Sequence, residues 1–382
     1  MQLPTAHSPM GASAIERILK CPGSVSLSAG RKELEEADYT SEGTRAHGLA
    51  ELALRSNVET WTLFEPGMPD DMVPAVDQYV RYIQQNYLKR NGTSMIEQKF
   101  HCPTIHPLFY GTSDFVYVSG DGEEVTVIDY KHGAGIAVDA EENDQLRYYA
   151  AGAIETLDLW HTAKRVYLKI IQPRAFHPAG TIRTWGISVE DLERWLHDTL
   201  IPGMTLAEHS TKTVAGEHCR FCPVRFYACP ALLQTAEEME DLVVKLTKEK
   251  GAREISTQEL AKFLDLGVAF KIAHKAAIST ATARLQSGAS IPGWKLAKAR
   301  SNREFKEGAE AAAEKLFGEK AYTKPEFKSP AEIDKLPGGE DFTARWAEKP
   351  DKGLTLAPAD DSRPAVNKDT KSLFKPVPKK SN

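Results

Sequence analysis

The chain has 382 residues, of which 41% are hydrophobic and 26% charged, as in ordinary globular proteins. Its formal net charge of −5 predicts that any contact with nucleic acid is confined to a local basic patch. No apolar stretch approaches the roughly 18 residues of a membrane span, and the first residues lack the basic and apolar regions of a signal peptide. We therefore expect a cytoplasmic protein with reduced cysteines and no membrane partner.

The N-terminal part of the chain is predicted to be helical. Apolar residues recur at helical spacing over residues 12–19, 41–54 and 73–88. The second of these helices has Ser41 as its predicted N-cap. It places His47 and Glu51, four residues apart, on one face.

A β-rich section follows, and then helices. Strands are predicted over residues 96–100, 111–118, 124–131, 165–171 and 184–187, with a hairpin turn at 119–122. A helix over 139–155 separates the third and fourth strands, which predicts a βαβ unit with a parallel pair. Ser188 is the predicted N-cap of the next helix, residues 231–287 are predicted to be helical, and residues 348–382 are expected to lack a packed core.

Charged residues at two strand ends predict a metal site. Asp129 and Lys131 end the apolar run 125–128, and Asp114 lies on the preceding strand. Charges at such a position are costly to bury without a partner. Asp114 and Asp129 are suited to hold a divalent cation, with the backbone carbonyl of Tyr130 as an added ligand. Lys131 shares a face with Asp129 and is placed to orient a water or to offset phosphate charge.

Three further residues are candidates for the same site. Gln145 and Tyr149 share one face of the next helix and can hydrogen-bond a phosphate or the water near the lysine. Glu97, on the strand before the site, is a weaker candidate ligand. Each residue also has a structural interpretation: an Asp can cap a turn, His47 can be a core or surface histidine, and Gln145 and Tyr149 can serve helix packing.

Four motifs in this order resemble the RecB-like branch of the PD-(D/E)XK nuclease superfamily. They are EGTRAH (42–47), GTSD (111–114), VIDYK (127–131) and QLRYY (145–149). The resemblance implies an α/β restriction-endonuclease-like core, a mixed sheet flanked by helices, with His47 as a further ligand of Mg²⁺ or Mn²⁺. Residues 129–153 look especially like an uncharacterised phage-encoded family. We divide the chain into a segment 1–40, a nuclease core 41–230, a helical region 231–347 and a flexible tail 348–382.

The cysteines give a second signal. Cys219, Cys222 and Cys229 lie close together, whereas Cys21 is far upstream. A Cys-x2-Cys pair alone suggests zinc or an iron–sulfur cluster. The one-plus-three arrangement beside a nuclease core resembles iron–sulfur nucleases of the AddB type, which implies a [4Fe–4S] cluster that clamps the N-terminal segment. Zinc and unlinked thiols are the alternatives, and Cys102 is interpreted as an ordinary buried thiol.

The function expected from these signals is that of a metal-dependent DNA nuclease. The resemblance favours an exonuclease of phage replication or recombination, acting in the cytoplasm of a bacterial host on DNA ends, single-stranded ends among them. A single-strand-binding or annealing protein is a candidate partner, and the basic stretch 295–303 is a candidate backbone contact. The alternatives are a non-catalytic DNA-binding or recombination-assembly protein that keeps a nuclease fold, and a zinc-stabilised structural protein.

Overall fold

The computed structural model describes residues 8–29, 38–63, 65, 68–69, 71–226, 229–248 and 255–295. The chain divides into two compact units, Met1–Ala297 and Lys298–Asn382. The helices that follow residue 230 belong to the same unit as the sheet, so the division predicted at residue 230 does not coincide with the boundary between the units. The predicted tail 348–382 and all of the basic stretch after Lys295 lie outside the described residues.

Helices form much of the described structure. The α-helices are α1 (Ala12–Lys20), α2 (Ser24–Ser28), α3 (Asp38–Ser56), α4 (Met72–Asn86), α5 (Asp144–Thr156), α6 (Val189–Trp195), α7 (Ile201–His209), α8 (Pro230–Lys248) and α9 (Thr257–Gln286). Short 3₁₀ turns cover Thr60–Leu63, Glu217–Phe221 and Pro223–Phe226, and a π turn covers Leu196–Leu200. In the described ranges, no helix combines the length and the apolar character needed to cross a membrane.

A five-stranded mixed sheet lies among these helices. Its strands are β1 (Gly92–His101), β2 (Tyr110–Ser119), β3 (Glu124–Tyr130), β4 (Arg165–Ile171) and β5 (Ile182–Ser188), in the order β1-β2-β3-β4-β5. The pair β3–β4 is parallel and is connected through α5, whereas the other neighbouring pairs are antiparallel. The predicted βαβ unit and the α/β class with a mixed sheet flanked by helices are confirmed.

Two helix starts differ from the sequence prediction. Helix α3 already begins at Asp38, so Ser41 lies within the helix and the prediction that it is the N-cap is wrong. Helix α5 begins at Asp144 and not at residue 139, because the Asn143 side chain caps it by accepting a hydrogen bond from the Leu146 N–H at 3.0 Å. The predicted cap Ser188 is confirmed, since its hydroxyl accepts from the Asp191 N–H at 3.1 Å.

The sheet has an apolar core on each face. Strand residues alternate between the faces, so Val116 packs with helices α1, α5, α6 and α7 on one side, whereas Phe115 packs with α3 and α4 on the other. Likewise Val127 packs in the core that contains α1, α5, α6 and α7, which we call the first core. Ile128 packs in the core that contains α3 and α4, which we call the second core. Burial on both faces explains the nearly continuous apolar run in β3.

In β1, the alternation of side chains between the two faces of the sheet is interrupted at Glu97. This residue has a φ of +50°, which is uncommon for a non-glycine residue in a strand. Met95 and Phe100, which have opposite parity in the sequence, both pack on the first core. The register pairs Ile96 with Phe115, so Glu97 lies opposite Asp114 at a locally strained position.

We expect Gly152→Ala to destabilise the protein. A Cβ atom at this position would lie 2.5 Å from Cδ2 of the buried Phe100 ring. Overpacking of this kind costs about 1–3 kcal/mol, which exceeds the gain of about 1 kcal/mol from the better helix propensity of alanine. Urea unfolding measures the change. Gly48→Ala in α3, where a Cβ would meet nothing within 4 Å, is the control and should not destabilise; equal behaviour of the two variants would contradict the packing argument.

Candidate active site

Three carboxylates form one row across the sheet. The pairs Ile96–Phe115 and Phe115–Ile128 fix the antiparallel registers of β1 with β2 and of β2 with β3. One position further along, these registers bring Glu97, Asp114 and Asp129 side by side. The row lies where β3 ends.

His47 of α3 completes a group of potential ligands. Its Nδ1 lies 3.4 Å from Oδ1 of Asp114, and one ligand atom each of His47, Glu97 and Asp114 lie within 4.8 Å of one another. Neighbouring ligands of an octahedral Mg²⁺ are about 3 Å apart, given bonds of about 2.1 Å. A modest contraction would therefore let these three residues share one cation.

The structure brings Glu97, a weaker candidate from the sequence, into one group with His47 and Asp114. The contribution of Glu97 depends on the cross-strand register and on its left-handed backbone, and neither is visible in a period-2 pattern. Glu51, the neighbour of His47 on the same predicted face, instead forms an ion pair with Arg55 at 2.8 Å.

A second group of side chains, which we call the lysine group, lies beside these potential ligands and consists of Asp129, Lys131, Gln145 and Tyr149. Lys131 Nζ lies 2.9 Å from Oδ2 of Asp129 and donates a hydrogen bond of 2.8 Å to Oε1 of Gln145. The Gln145 amide donates in turn to Oδ1 of Asp129 at 3.4 Å and to the Tyr149 hydroxyl at 3.1 Å. The structure therefore brings all four predicted residues together.

Asp129 is a buried carboxylate whose Oδ2 lacks a hydrogen bond from the described residues. Its side chain is buried, and although Oδ2 is close to the ammonium of Lys131, it accepts no well-directed hydrogen bond. A buried carboxylate oxygen without such a bond is costly. A cation bound at this oxygen would supply the missing partner.

The backbone of Tyr130 contacts Asp114, whereas its ring contacts His47. Its backbone N–H donates to Oδ2 of Asp114 at 2.7 Å. In a strand the N–H and the C=O of one residue point to the same neighbour, so the carbonyl predicted as a ligand faces the side of Asp114. Its ring lies in the second core and meets the His47 ring edge-on, with 5.4 Å between the centroids.

The electrostatics match a site for a positive ion. Burial and the nearby Asp114 raise the pKa of Glu97 to about 7, and burial also raises the pKa of Asp129. Burial would raise the pKa of Asp114 too, but the charge and hydrogen bond of His47, the Tyr130 N–H and the charge of Lys131 together outweigh burial, and the pKa is lowered. Burial lowers the pKa of His47, but Asp114, Asp129 and Glu97 together raise it to about 9. The protonated histidine thus balances part of the acidic charge.

These pKa shifts predict a dependence of stability on pH. The pKa of His47 is raised from 6.5 to about 9. The stabilisation from its protonated form is therefore fully present below pH 6.5 and is lost as the pH rises through 9. The pKa of Glu97 is raised from 4.5 to about 7. The stability of the folded protein therefore also falls as the pH rises from 4.5 to 7. We expect the metal-free protein to lose melting temperature from pH 6 to pH 9, and Mn²⁺ to raise it more at pH 9.

The control for this prediction is His47→Gln, which removes the titrating group. Its metal-free melting temperature should fall less than that of the parent between pH 7 and pH 9. Thermal unfolding in a chelator and in Mn²⁺, at matched ionic strength, measures both effects. The same fall in the parent and the variant would contradict the assigned role of His47.

The four predicted cluster cysteines also come together. Cys21, Cys219, Cys222 and Cys229 line one cavity, all are buried, and none forms a disulfide. Burial raises the pKa of the Cys219 thiol to about 11. Cys102 lies apart from them, with its Sγ 3.7 Å from the Gly152 carbonyl.

Apolar side chains and those of Arg17, His218 and Arg225 surround the cavity, which connects distant parts of the chain. Val224, Leu232 and Ala269 pack around the sulfurs, and the Val214 N–H donates to Cys21 Sγ at 3.3 Å. Four buried sulfur donors around one cavity fit a zinc ion or an iron–sulfur cluster, and binding of either would deprotonate the thiols.

Two further hydrogen bonds join the same two segments of the chain. The Gly23 N–H donates to the Lys212 carbonyl at 2.8 Å, and the Ser26 hydroxyl donates to the Ser210 carbonyl at 3.1 Å. A Cβ at Gly23 would lie 2.6 Å from the Lys212 carbonyl oxygen, so only glycine allows this close approach.

One comparison with known proteins bears on these two sites. A family model described as "Protein of unknown function (DUF2800)" matches residues 7–364. The match includes the acidic row, the lysine group and the four cluster cysteines. The chain belongs to this family.

Proposed function

We propose that this protein is a metal-dependent nuclease that hydrolyses phosphodiester bonds of DNA on a core of the PD-(D/E)XK type. The observation that carries the proposal is the convergence of His47, Glu97 and Asp114 directly beside the Asp129–Lys131 pair. The motifs that resemble RecB-like nucleases contribute four of these five residues. A purely structural role would require neither the crowded carboxylates nor the strained Glu97.

The residues present fit Mg²⁺ or Mn²⁺. His47, Glu97, Asp114 and Asp129, with the carbonyl of Tyr130, would hold the ion through a nitrogen and hard oxygen ligands. When bound, such a cation lowers the pKa of a water and offsets charge on phosphoryl oxygens.

The chain's own residues would hold the reactants in place. Lys131, fixed between Asp129 and Gln145, would orient the attacking water and stabilise negative charge on the phosphate. Burial raises the pKa of Tyr149 well above its usual range, so its hydroxyl remains protonated. Gln145 accepts from the Lys131 ammonium and so holds the lysine, and the Tyr149 hydroxyl, which accepts from the Gln145 amide, would donate to the phosphate.

The substrate is proposed to be a DNA end, with exonuclease action in phage replication or recombination in the cytoplasm of a bacterial host. A net charge of −5 requires that the metal site and local basic residues neutralise the phosphates. A single-strand-binding or annealing protein is the proposed class of partner. This biological setting rests on the resemblance to phage-encoded proteins.

The four cysteines are proposed to hold a [4Fe–4S] cluster that fastens Cys21 to the segment carrying Cys219, Cys222 and Cys229. The buried sulfurs around one cavity support this proposal. Iron and sulfide analysis after anaerobic purification tests it, with about four of each expected per chain for a complete cluster. One zinc per chain without sulfide would instead favour the zinc alternative.

Degradation of end-labelled DNA tests the nuclease proposal. We expect single- or double-stranded DNA to be degraded in Mg²⁺ or Mn²⁺ and not in a chelator, and closed circular DNA to resist an exonuclease. Asp114→Asn should abolish the activity and weaken Mn²⁺ binding. DNA binding without cleavage under every metal condition would favour the non-catalytic alternative.

A further inference from the structure

A chain of polar side chains extends from Tyr130 away from the acidic row. The Tyr130 hydroxyl lies 2.8 Å from Nδ1 of the buried His132, and His132 Nε2 lies 3.0 Å from Oε1 of Glu42. The same Nε2 lies 2.6 Å from Nη1 of Arg174, so this nitrogen either donates to Glu42 or accepts from Arg174. In the neutral ring, Nδ1 has the opposite role toward the Tyr130 hydroxyl.

Arg174 extends this chain to a further element. Its Nη1 donates to Oε1 of Glu42, and its Nη2 lies 2.9 Å from Oδ2 of Asp71. Arg174 follows β4, Asp71 precedes α4, His132 follows β3 and Glu42 lies in α3. Four elements around one end of the sheet are thus joined by hydrogen bonds and ion pairs.

The same chain leads directly to two proposed cation ligands. Glu42 is on the helix that carries His47, so its bonds to His132 and Arg174 fix the beginning of that helix against the sheet. Tyr130 holds Asp114 through its backbone N–H and meets the His47 ring through its own ring. Tyr130 is itself buried against Tyr79, with 4.9 Å between the ring centroids.

We infer that Glu42, His132, Arg174 and the Tyr130 hydroxyl form a positioning network for the metal centre. The inference rests on the proposed function, because the network's role is to hold His47 and Asp114 where they meet a cation. Its side chains need not touch the ion. Removing outer partners that orient ligands typically lowers metal affinity by about 10- to 100-fold.

Mn²⁺ titration by calorimetry, without DNA, tests the network. Tyr130→Phe keeps the ring against His47 and Tyr79 but removes the hydroxyl, and Glu42→Ala removes the central acceptor. Each should raise the Kd for Mn²⁺ by about 10- to 100-fold. Glu42→Gln, which keeps an acceptor oxygen, should lose less affinity than Glu42→Ala. Glu123→Gln, which removes a carboxylate from an exposed pair with Lys164 at the other end of β3, should leave the Kd unchanged.

The double variant Tyr130→Phe/Glu42→Ala distinguishes a network from independent effects. Because both changes interrupt the same chain, its loss of affinity should be no greater than about that of the larger single change. Independent, multiplicative losses would overturn the shared network. The metal-free melting temperature of each variant separates positioning from a general loss of folding, since positioning predicts a change in Kd in variants that remain fully folded at the temperature of titration.

The failures of the two proposals can be told apart. If Asp114→Asn abolishes Mn²⁺ binding and cleavage while Tyr130→Phe and Glu42→Ala bind Mn²⁺ like the parent, the proposed nuclease stands and the network inference is overturned. If the parent protein binds no Mn²⁺ and cuts no DNA, both are overturned. A loss of affinity in Glu123→Gln equal to that in Tyr130→Phe would also overturn the inference.

Discussion

Replacement of Lys131 by alanine is expected to lower the rate of Mg²⁺- or Mn²⁺-dependent DNA degradation by about 100- to 1,000-fold or more, the range for loss of a preorganised electrostatic group. The ammonium is held 2.9 Å from Asp129 and 2.8 Å from Gln145, so alanine removes a fixed charge that no neighbour replaces. We expect the effect in kcat more than in KM, because the charge acts mainly where negative charge develops. Single-turnover cleavage of end-labelled DNA measures it.

Asp129→Asn should abolish the same activity without harming the fold. The buried carboxylate has a raised pKa, which means that its ionised form is costly in the folded protein. An isosteric amide removes this cost, so the metal-free melting temperature should stay the same or rise while cation binding weakens. Lys164→Ala, in an exposed ion pair, is the control and should cut like the parent. Parental rates in both Lys131→Ala and Asp129→Asn would show that the site is misassigned.

Cys222→Ser is expected to remove the metal from the cysteine site and to lower the stability of the protein. The proposed cluster would join residues 21 and 222, so its loss would release a very long loop. Removing a cross-link from a folded protein costs about 2–5 kcal/mol, and we expect a loss of this order in the free energy of unfolding. Solubility should fall as well, because the apolar shell around the sulfurs would open.

Cys102→Ser makes the same chemical change at a buried cysteine outside the site and is the control. It should keep the full metal content, which elemental and sulfide analysis measure together with anaerobic urea unfolding. The chemistry of DNA cleavage should change less than stability in Cys222→Ser. A stable variant without metal at the cysteines and with full activity would contradict the clamp.

The local parts of the site could be predicted from the sequence because they depend on short spacings. Asp129 and Lys131 share a strand face, and Gln145 and Tyr149 share a helix face, so periodicity alone groups each pair. The parallel β3–β4 pair followed from the order strand, helix, strand. Helix starts were less predictable, because several residues near the start of α5 have a similar propensity to cap a helix and the structure uses Asn143.

The remaining parts depend on contacts between distant residues. Glu97 enters the site only through the register of β1 with β2, and its left-handed backbone breaks the pattern that sequence reasoning uses. Glu42, His132 and Arg174 meet although they come from three separate segments. No spacing rule brings such residues together, because their contact is a result of tertiary packing.

The packing of α1 has a consequence for the order in which the protein matures during synthesis. Ile15 and Ile18 of α1 are fully buried in the core that also contains Leu146 of α5 and Met204 of α7. The apolar face of α1 is therefore fully covered only after Met204, almost 200 residues further along the chain, has been made. Contacts of such long sequence separation slow folding. The proposed metal ligands lie no later than residue 130, so we expect them to reach their final places only after this later part of the chain has been made, and a chain truncated before α7 to be inactive.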